Sequence, residues 1–194
     1  MSIDLTPTAH AVAAVVSGIT DDQLGHPTPC AATTVAALLD HLHGLARAFR
    51  LAAEKDPEAV DSTASLVAEH LAPDWRTAIP ARLDALAAAW RDPAAWAGTA
   101  HAGGLEMPAE VAGTVTLDEL VLHGWDLAVA TGQRFEPDDD AVAVVLAFTE
   151  ATAAGGPTEG LFGPAVAVPD RAPAFERALG FSGRDPRWTP VTAA

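Results

Sequence analysis

The chain has 194 residues, with 11 basic against 26 acidic side chains and a formal net charge of −15. A chain of this length can bury a core without disulfide or metal staples, so we expect residues 1–194 to form a single domain. The acidic average surface repels phosphate backbones, and no cluster of Lys or Arg interrupts it. Nucleic acid is therefore not an expected partner.

Cysteine usage and hydropathy indicate the compartment. The single Cys30 excludes an internal disulfide, and the N-terminus lacks the basic and apolar regions of a signal peptide. The longest apolar run, Ala141 to Phe148, has eight residues, which is well short of the roughly 20 that a membrane span needs. These features predict a soluble, cytoplasmic protein with no membrane partner.

Apolar residues recur at the helical period through the first half of the chain. Two prolines in the loop His26–Cys30 forbid helix there, and Thr33 or Thr34 can cap the helix that follows. Pro80 should either kink the third helix or mark its true start. The helices predicted here are Thr8 to Ser17 or beyond, Val35 to about Glu54, and about Asp74 to Arg91.

The second predicted helix carries a histidine within its apolar stripe. A polar side chain in that position needs a partner, because burying it without one costs roughly 1–3 kcal/mol. His41 therefore requires a ligand or a hydrogen bond. His43 points about 200° away from His41 around the axis, so the two cannot share one metal ion, and we assign His43 to the flank.

The second half of the chain begins with a segment of no sustained period, Asp92 to Val115, which predicts an irregular connection or a small hairpin. The apolar run after Asp140 predicts a core helix that opens at Pro137 to Asp140. A loose stretch is expected from Gly155 to Pro164, with a tail from Gly183 to Trp188. The other predicted helices are Thr116 to Gly132, with Gly132 as a left-handed C-cap, and Ala172 to Leu179.

The helix that starts at Thr116 places two candidate ligands on one face. Glu119 and His123 are four residues apart, about 40° around the axis and roughly 6 Å along it, so they can converge on one ion. His41 is the well-placed histidine on another helix, which predicts a metal site of His41, Glu119 and His123. In the alternative, Thr116 and Glu119 form a capping box at the helix start, and His123 is a hydrogen-bonded core histidine.

Four further residues have two interpretations each. Asp126 could orient a ligating histidine from behind, or it could tie two helices together. Arg184 and Arg187 could bind a carboxylate, but surface ion pairs are the preferred interpretation. Cys30 could be a nucleophile ahead of a helix, although an inert buried thiol is favoured.

Five motifs follow one another along the chain in a characteristic order. This ordered set resembles an actinobacterial family of metal-binding proteins in the DinB/YfiT-like superfamily, which is related to the metal-binding domain of mycothiol-dependent maleylpyruvate isomerase. The family usually has Trp where this chain has Thr33. The motifs are Pro27-Thr-Pro-Cys30, Thr34-Val35 with Leu38-Leu39-Asp40-His41, Glu119-x-x-x-His123-Gly-Trp-Asp-Leu-Ala-x-Ala-Thr-Gly-Gln133, Phe162-Gly-Pro, and Gly183-Arg-Asp-Pro-x-Trp188.

The resemblance implies an all-α fold, a DinB-like four-helix bundle with additional short helices and an irregular C-terminal segment. It also implies one divalent ion, usually zinc or nickel. Carried over residue by residue, the family's ligands fall on His41, Glu119 and His123. Three protein ligands leave a position open, as in a catalytic ion site, and this donor set suits zinc, nickel or iron.

The relatives' chemistry implies activation of a low-molecular-weight thiol, with mycothiol as cosubstrate. The expected function is a metal-dependent, thiol-dependent transferase or isomerase that acts on a small electrophile; the alternative is a non-catalytic metal or small-molecule binding module. Because only about 40 residues follow the last core helix, too few for the isomerase's C-terminal domain, maleylpyruvate isomerisation itself is not expected. The expected partners are a small-molecule ligand or thiol, and a homodimer is left open.

Overall fold

The protein is built mainly from helices, as the sequence predicts. The computed structural model describes residues 2–156 and 162–190. In these ranges one pair of short antiparallel strands is the only sheet, so the all-α class is confirmed. The elements are α1 Thr6–Gly18, α2 Val35–Glu54, α3 Trp75–Trp90, β1 Thr99–Ala102, β2 Leu105–Pro108, α4 Ala109–Ala130, α5 Asp139–Ala154 and α6 Ala174–Phe181. Short 3₁₀ turns lie at Asp21–Gln23, Pro57–Asp61, Ala68–His70 and Pro93–Trp96.

The first four helices form the predicted bundle. Helices α1 and α2 each pack against both α3 and α4, so α1 and α2 lie on one diagonal of the bundle. Fully buried leucines from three of the helices, Leu38, Leu83 and Leu117, contribute to one shared hydrophobic core. The β1–β2 hairpin packs against α2 and α4, and it therefore lies beside the helix pair that carries the predicted ligands.

Local signals set the bounds of α2 and α3. The hydroxyl of Thr34 accepts a hydrogen bond from the Ala37 backbone N–H at 3.3 Å, so Thr34 is the N-cap of α2. Helix α3 begins at Trp75, and Pro80 lies inside it. Pro80 therefore does not mark the start of that helix.

The start of α4 differs from the prediction. The helix begins at Ala109 rather than Thr116, and the buried Thr116 hydroxyl donates to the Ala112 carbonyl at 2.7 Å. The capping-box interpretation is therefore wrong. Gly113, within the segment predicted to be irregular, is a packing glycine of the helix, because a Cβ there would lie 2.4 Å from the Trp96 ring. The small hairpin that was one option for this region is present as β1 and β2.

The later elements cover one side of the bundle. Helix α5 is capped by Asp138, whose carboxylate accepts from the Ala141 N–H at 2.8 Å, and it packs between α4 and α6. Its apolar run was predicted to be a core element, but Ala143 and Ala147 are exposed, so only one face of α5 is buried. In the loose stretch predicted from 155 to 164, residues 157–161 lie outside the described residues.

Within the described ranges, no helix combines the length and the apolar character that crossing a bilayer requires.

Candidate metal centre

Three side chains from α2 and α4 converge beside the hairpin. The Nε2 atom of His123 lies 2.9 Å from Oε2 of Glu119, and the Nε2 atom of His41 lies 3.6 Å from the same oxygen. The two imidazole rings are perpendicular, with their centroids 5.1 Å apart. One ligand atom from each of the three residues lies within 4.8 Å of the others. The structure thus brings together the three residues that the sequence singled out.

The spacing of these atoms fits one small cation. Two ligand atoms about 2.0–2.2 Å from a tetrahedral zinc ion lie about 3.4 Å from each other. The distances of 2.9 and 3.6 Å lie on either side of this value. Nitrogen and carboxylate oxygen are also the donor types that zinc and nickel accept.

The ring of His123 is held from behind by a buried carboxylate. Oδ2 of Asp126 lies 3.0 Å from Nδ1 of His123. The same carboxylate accepts two hydrogen bonds from Arg184, at 2.9 Å from Nε and 2.8 Å from Nη2. Asp126 therefore orients His123, and it also fixes the C-terminal segment that carries Arg184 to α4.

Arg184 corrects one prediction. It was expected on the surface, but only 8% of it is exposed, and its partner Asp126 is fully buried. Arg187 does lie on the surface, where its Nε is 3.4 Å from the Asp185 carboxylate. The two arginines, only three positions apart, thus have different roles.

The ring of His41 is held by a segment that the sequence did not reveal. Nδ1 of His41 lies 3.2 Å from the Ser65 carbonyl oxygen. The neighbouring Asp40 carboxylate accepts hydrogen bonds from the Ser65 hydroxyl and from the Val67 N–H, the latter at 3.3 Å. Gly44 allows this extended segment to pass close to α2, because a Cβ there would lie 3.0 Å from Cα of Ala64.

These contacts place a hydrogen on Nδ1 of each ring, because a carbonyl and a carboxylate can only accept. Each Nε2 faces Glu119. Oε2 of Glu119 is buried and receives no hydrogen bond of acceptable geometry, although Nε2 of His123 is close. In neutral rings, both Nε2 lone pairs and this oxygen would be available to one cation.

In the absence of an ion, the charges of the site compensate one another. Burial alone would raise the pKa of Glu119, but the nearby imidazoles of His123 and His41 outweigh it and hold that pKa well below its ordinary value. Burial alone would lower the pKa of His123, but Asp126 and Glu119 outweigh it and raise that pKa to about 10. A metal ion that binds at neutral pH must therefore displace a proton from His123.

Asp118, next to Glu119 in the chain, is a second buried carboxyl. Only 1% of it is exposed, and its Oδ1 has no hydrogen-bond partner in the described part of the chain. Burial, and then the charge of Glu119, raise the pKa of Asp118 well above its ordinary value. Burial therefore disfavours the charged form of the Asp118 carboxyl.

The remaining candidates lie apart from this cluster. His43 is half-buried, and its Nε2 atom has no partner within the described residues. This agrees with its assignment to the flank of α2. Cys30 is partly buried, and its sulfur accepts a hydrogen bond from the Thr33 hydroxyl at 3.6 Å.

A cavity of about 490 Å³ opens directly beside His41 and Glu119. Its walls come from α2, from residues 62–64, from the hairpin and from α4. Larger depressions, of about 550 and 760 Å³, lie elsewhere on the surface and contain none of the three converging residues. A small molecule that binds beside His41, Glu119 and His123 would therefore occupy this cavity.

The fold and these contacts define a helix-bundle protein with a candidate divalent-metal centre between two of its helices. Residues 5–128 match the family described as the mycothiol maleylpyruvate isomerase N-terminal domain. The chain belongs to this DinB-like family. The matched range contains the three converging residues and Asp126, whereas Arg184 lies beyond it.

Two similar proteins come from Mycobacterium tuberculosis. They are uncharacterized protein Rv0738 of strain H37Rv and uncharacterized protein MT0763 of strain CDC 1551. Each is 30% identical over 152 residues, which cover 73% of this chain and 72% of the relative. No solved structure matches the chain.

Proposed function

We propose that the protein is a metal-dependent enzyme that uses a small thiol, mycothiol, in a transfer or isomerisation reaction on a small electrophile. His41, Glu119 and His123 would hold one divalent ion, zinc or nickel. The chain belongs to a family that is described as a domain of the mycothiol maleylpyruvate isomerase, and this supports a thiol as the second reactant.

One observation carries this proposal. Two imidazole Nε2 atoms and one carboxylate oxygen converge, while each Nδ1 is engaged by an acceptor behind it. The ring of a metal-ligating histidine is usually held by a hydrogen bond from its other nitrogen to an acceptor. A core histidine that binds no metal has no such requirement. The buried Glu119 oxygen without a hydrogen bond supports the same conclusion, because a bound cation would satisfy it.

The chemistry follows from a site with three protein ligands and an open position. When bound, a divalent ion lowers the pKa of a thiol or water in that position, so that the anion exists near neutral pH. The protein's own residues supply the geometry: Asp126 and the Ser65 carbonyl fix the rings, and Glu119 offsets part of the ion's charge. The adjoining cavity would hold the electrophile next to this position.

Metal content is the first test. Protein purified without an affinity tag would be analysed by plasma mass spectrometry beside His123→Ala and His10→Ala. His10 is the matched control, because it is an exposed histidine on α1 whose neighbour is Asp84, at 3.4 Å. We expect about one equivalent of zinc or nickel in the wild type and in His10→Ala, and far less in His123→Ala. Absence of metal from all three proteins would refute the proposal.

Turnover is the second test. Loss of free thiol would be followed with a panel of small electrophiles, using metal-loaded wild type and His41→Ala. The enzyme hypothesis requires a rate in the wild type and a loss of more than about 100-fold in the variant, since even residues behind a ligand contribute 10–100-fold. A wild type that binds metal but shows no rate with any thiol would instead be a binding module.

A further inference from the structure

We infer that the site takes an uncharged, largely apolar small molecule as its substrate rather than a dicarboxylate. This inference rests on the proposed function, because it treats His41, Glu119 and His123 as the reacting centre. It goes beyond that function by assigning the substrate class, and its basis is the wall of the adjoining cavity.

The cavity has the size and the surface of a small-molecule site. Its volume of about 490 Å³ falls in the range of roughly 300–1,000 Å³ that such sites occupy. Ser62 and Thr63 are its polar members apart from the ligand residues. Its larger apolar side chains come from α2, the hairpin and α4, namely Leu45, Phe49, Leu105, Met107 and Val115.

The wall offers no positive charge to an anion. None of the described residues that line the cavity is Lys or Arg. Arg184 is paired with Asp126, Arg187 is paired with Asp185, and neither lines the cavity. A dicarboxylate could place one carboxylate on the metal ion, but its second carboxylate would lose water without gaining a positively charged partner, which disfavours binding.

The hairpin contributes an apolar rim. Leu105 is 66% exposed, although it lines the cavity, and it directly follows the tight Gly103-Gly104 turn. An exposed leucine beside an apolar cavity is stabilised when a ligand covers it, and each buried methylene of the ligand adds to that stabilisation. Affinity should therefore increase with the apolar length of the ligand.

Methyl NMR can test this directly, because the sequence contains only two methionines, Met1 and Met107. Protein labelled with ¹³C-methyl methionine would be titrated with ethanol, butanol and hexanol, and with adipate as the dicarboxylate of the same length as hexanol. We expect saturable shifts of the Met107 methyl with the alcohols, and an affinity that rises about 15-fold from butanol to hexanol. Adipate should give no saturable shift of the Met107 methyl signal, even at a concentration ten times the dissociation constant of hexanol.

A pair of matched variants ties the effect to the cavity. Leu105→Asp should weaken hexanol binding at least about fivefold, since it places a charge at the rim. Val111→Asp is the control, because Val111 is 42% exposed and does not line the cavity; the affinity of this variant for hexanol should stay within about twofold of the wild type. Adipate binding as tightly as hexanol, an affinity that ignores chain length, or an unresponsive Met107 would each overturn the inference.

The titrations would be repeated on metal-loaded and chelator-treated protein of measured metal content. Alcohols report on the apolar walls in both states, so the substrate-class inference receives its answer even if no metal binds. A protein that takes up no metal but prefers hexanol to adipate would refute the proposed function and leave the apolar preference standing. Metal uptake together with tight adipate binding would do the reverse.

Discussion

Replacing Arg184 by Met should destabilise the protein strongly, although the change keeps an unbranched stem as long as that of Arg up to its Nε atom. Arg184 donates two hydrogen bonds to Asp126, and both residues are buried. Removing one partner of a buried ion pair costs about 3–5 kcal/mol, because the other charge stays buried. His123 remains as a partner of Asp126, so we expect about 3 kcal/mol, a large part of a typical total of 5–15 kcal/mol.

Denaturant unfolding followed by tryptophan fluorescence would measure this loss. Arg187→Met is the matched control, since Arg187 is an exposed arginine on the same segment and a surface ion pair such as the one with Asp185 contributes little to stability. A second variant, Arg184→Met with Asp126→Asn, should recover part of the loss because it removes both buried charges. Equal midpoints for Arg184→Met and Arg187→Met would refute the reasoning.

Three further changes follow from the site and its helix. Metal binding at pH 7.5 should release about one proton, because the pKa of His123 is raised to about 10 without the ion. Calorimetry in buffers of different ionisation enthalpy would detect this proton release. A binding heat that does not depend on the buffer would contradict the prediction. Asp118→Asn should be more stable than wild type at pH 7.5, because the raised pKa of Asp118 makes folding of the wild type less favourable as pH rises. The free energies of unfolding of the two proteins should converge near pH 4. Denaturant unfolding at both pH values would check this. Gly113→Ala should cost about 1–3 kcal/mol against the Trp96 ring, whereas Gly25→Ala, which meets no atom within 4 Å, should cost little; thermal melts would compare them.

The parts of the fold that the sequence predicts are those governed by neighbours along the chain. Helix α2 begins after Thr34 because the cap and the helix it caps are adjacent. Glu119 and His123 converge because four residues along one helix return to the same face. His41 could be added because a lone histidine in an apolar stripe requires a partner.

The parts that it does not predict depend on contacts between distant segments. Gly113 lies inside α4 because the Trp96 ring fills the space of its missing side chain, and nothing around Gly113 in the sequence reveals that contact. The carbonyl of Ser65 lies beside His41 in an extended segment whose Ser65 hydroxyl also donates to Asp40 on α2. The one signal available was Asp40 itself, an acidic residue inside an otherwise apolar run.

The surroundings of Arg184 and Asp126 depend on whether the site holds a metal ion. Without an ion, His123 is an imidazolium and offsets part of the charge of Asp126, since its pKa is raised to about 10. With an ion bound, His123 is a neutral ligand, and the two hydrogen bonds from Arg184 are the remaining charged contacts of the buried Asp126 carboxylate. The three candidate ligands thus lie within the range that the family matches, whereas Arg184, the buried positive charge that holds Asp126 behind His123, lies beyond it.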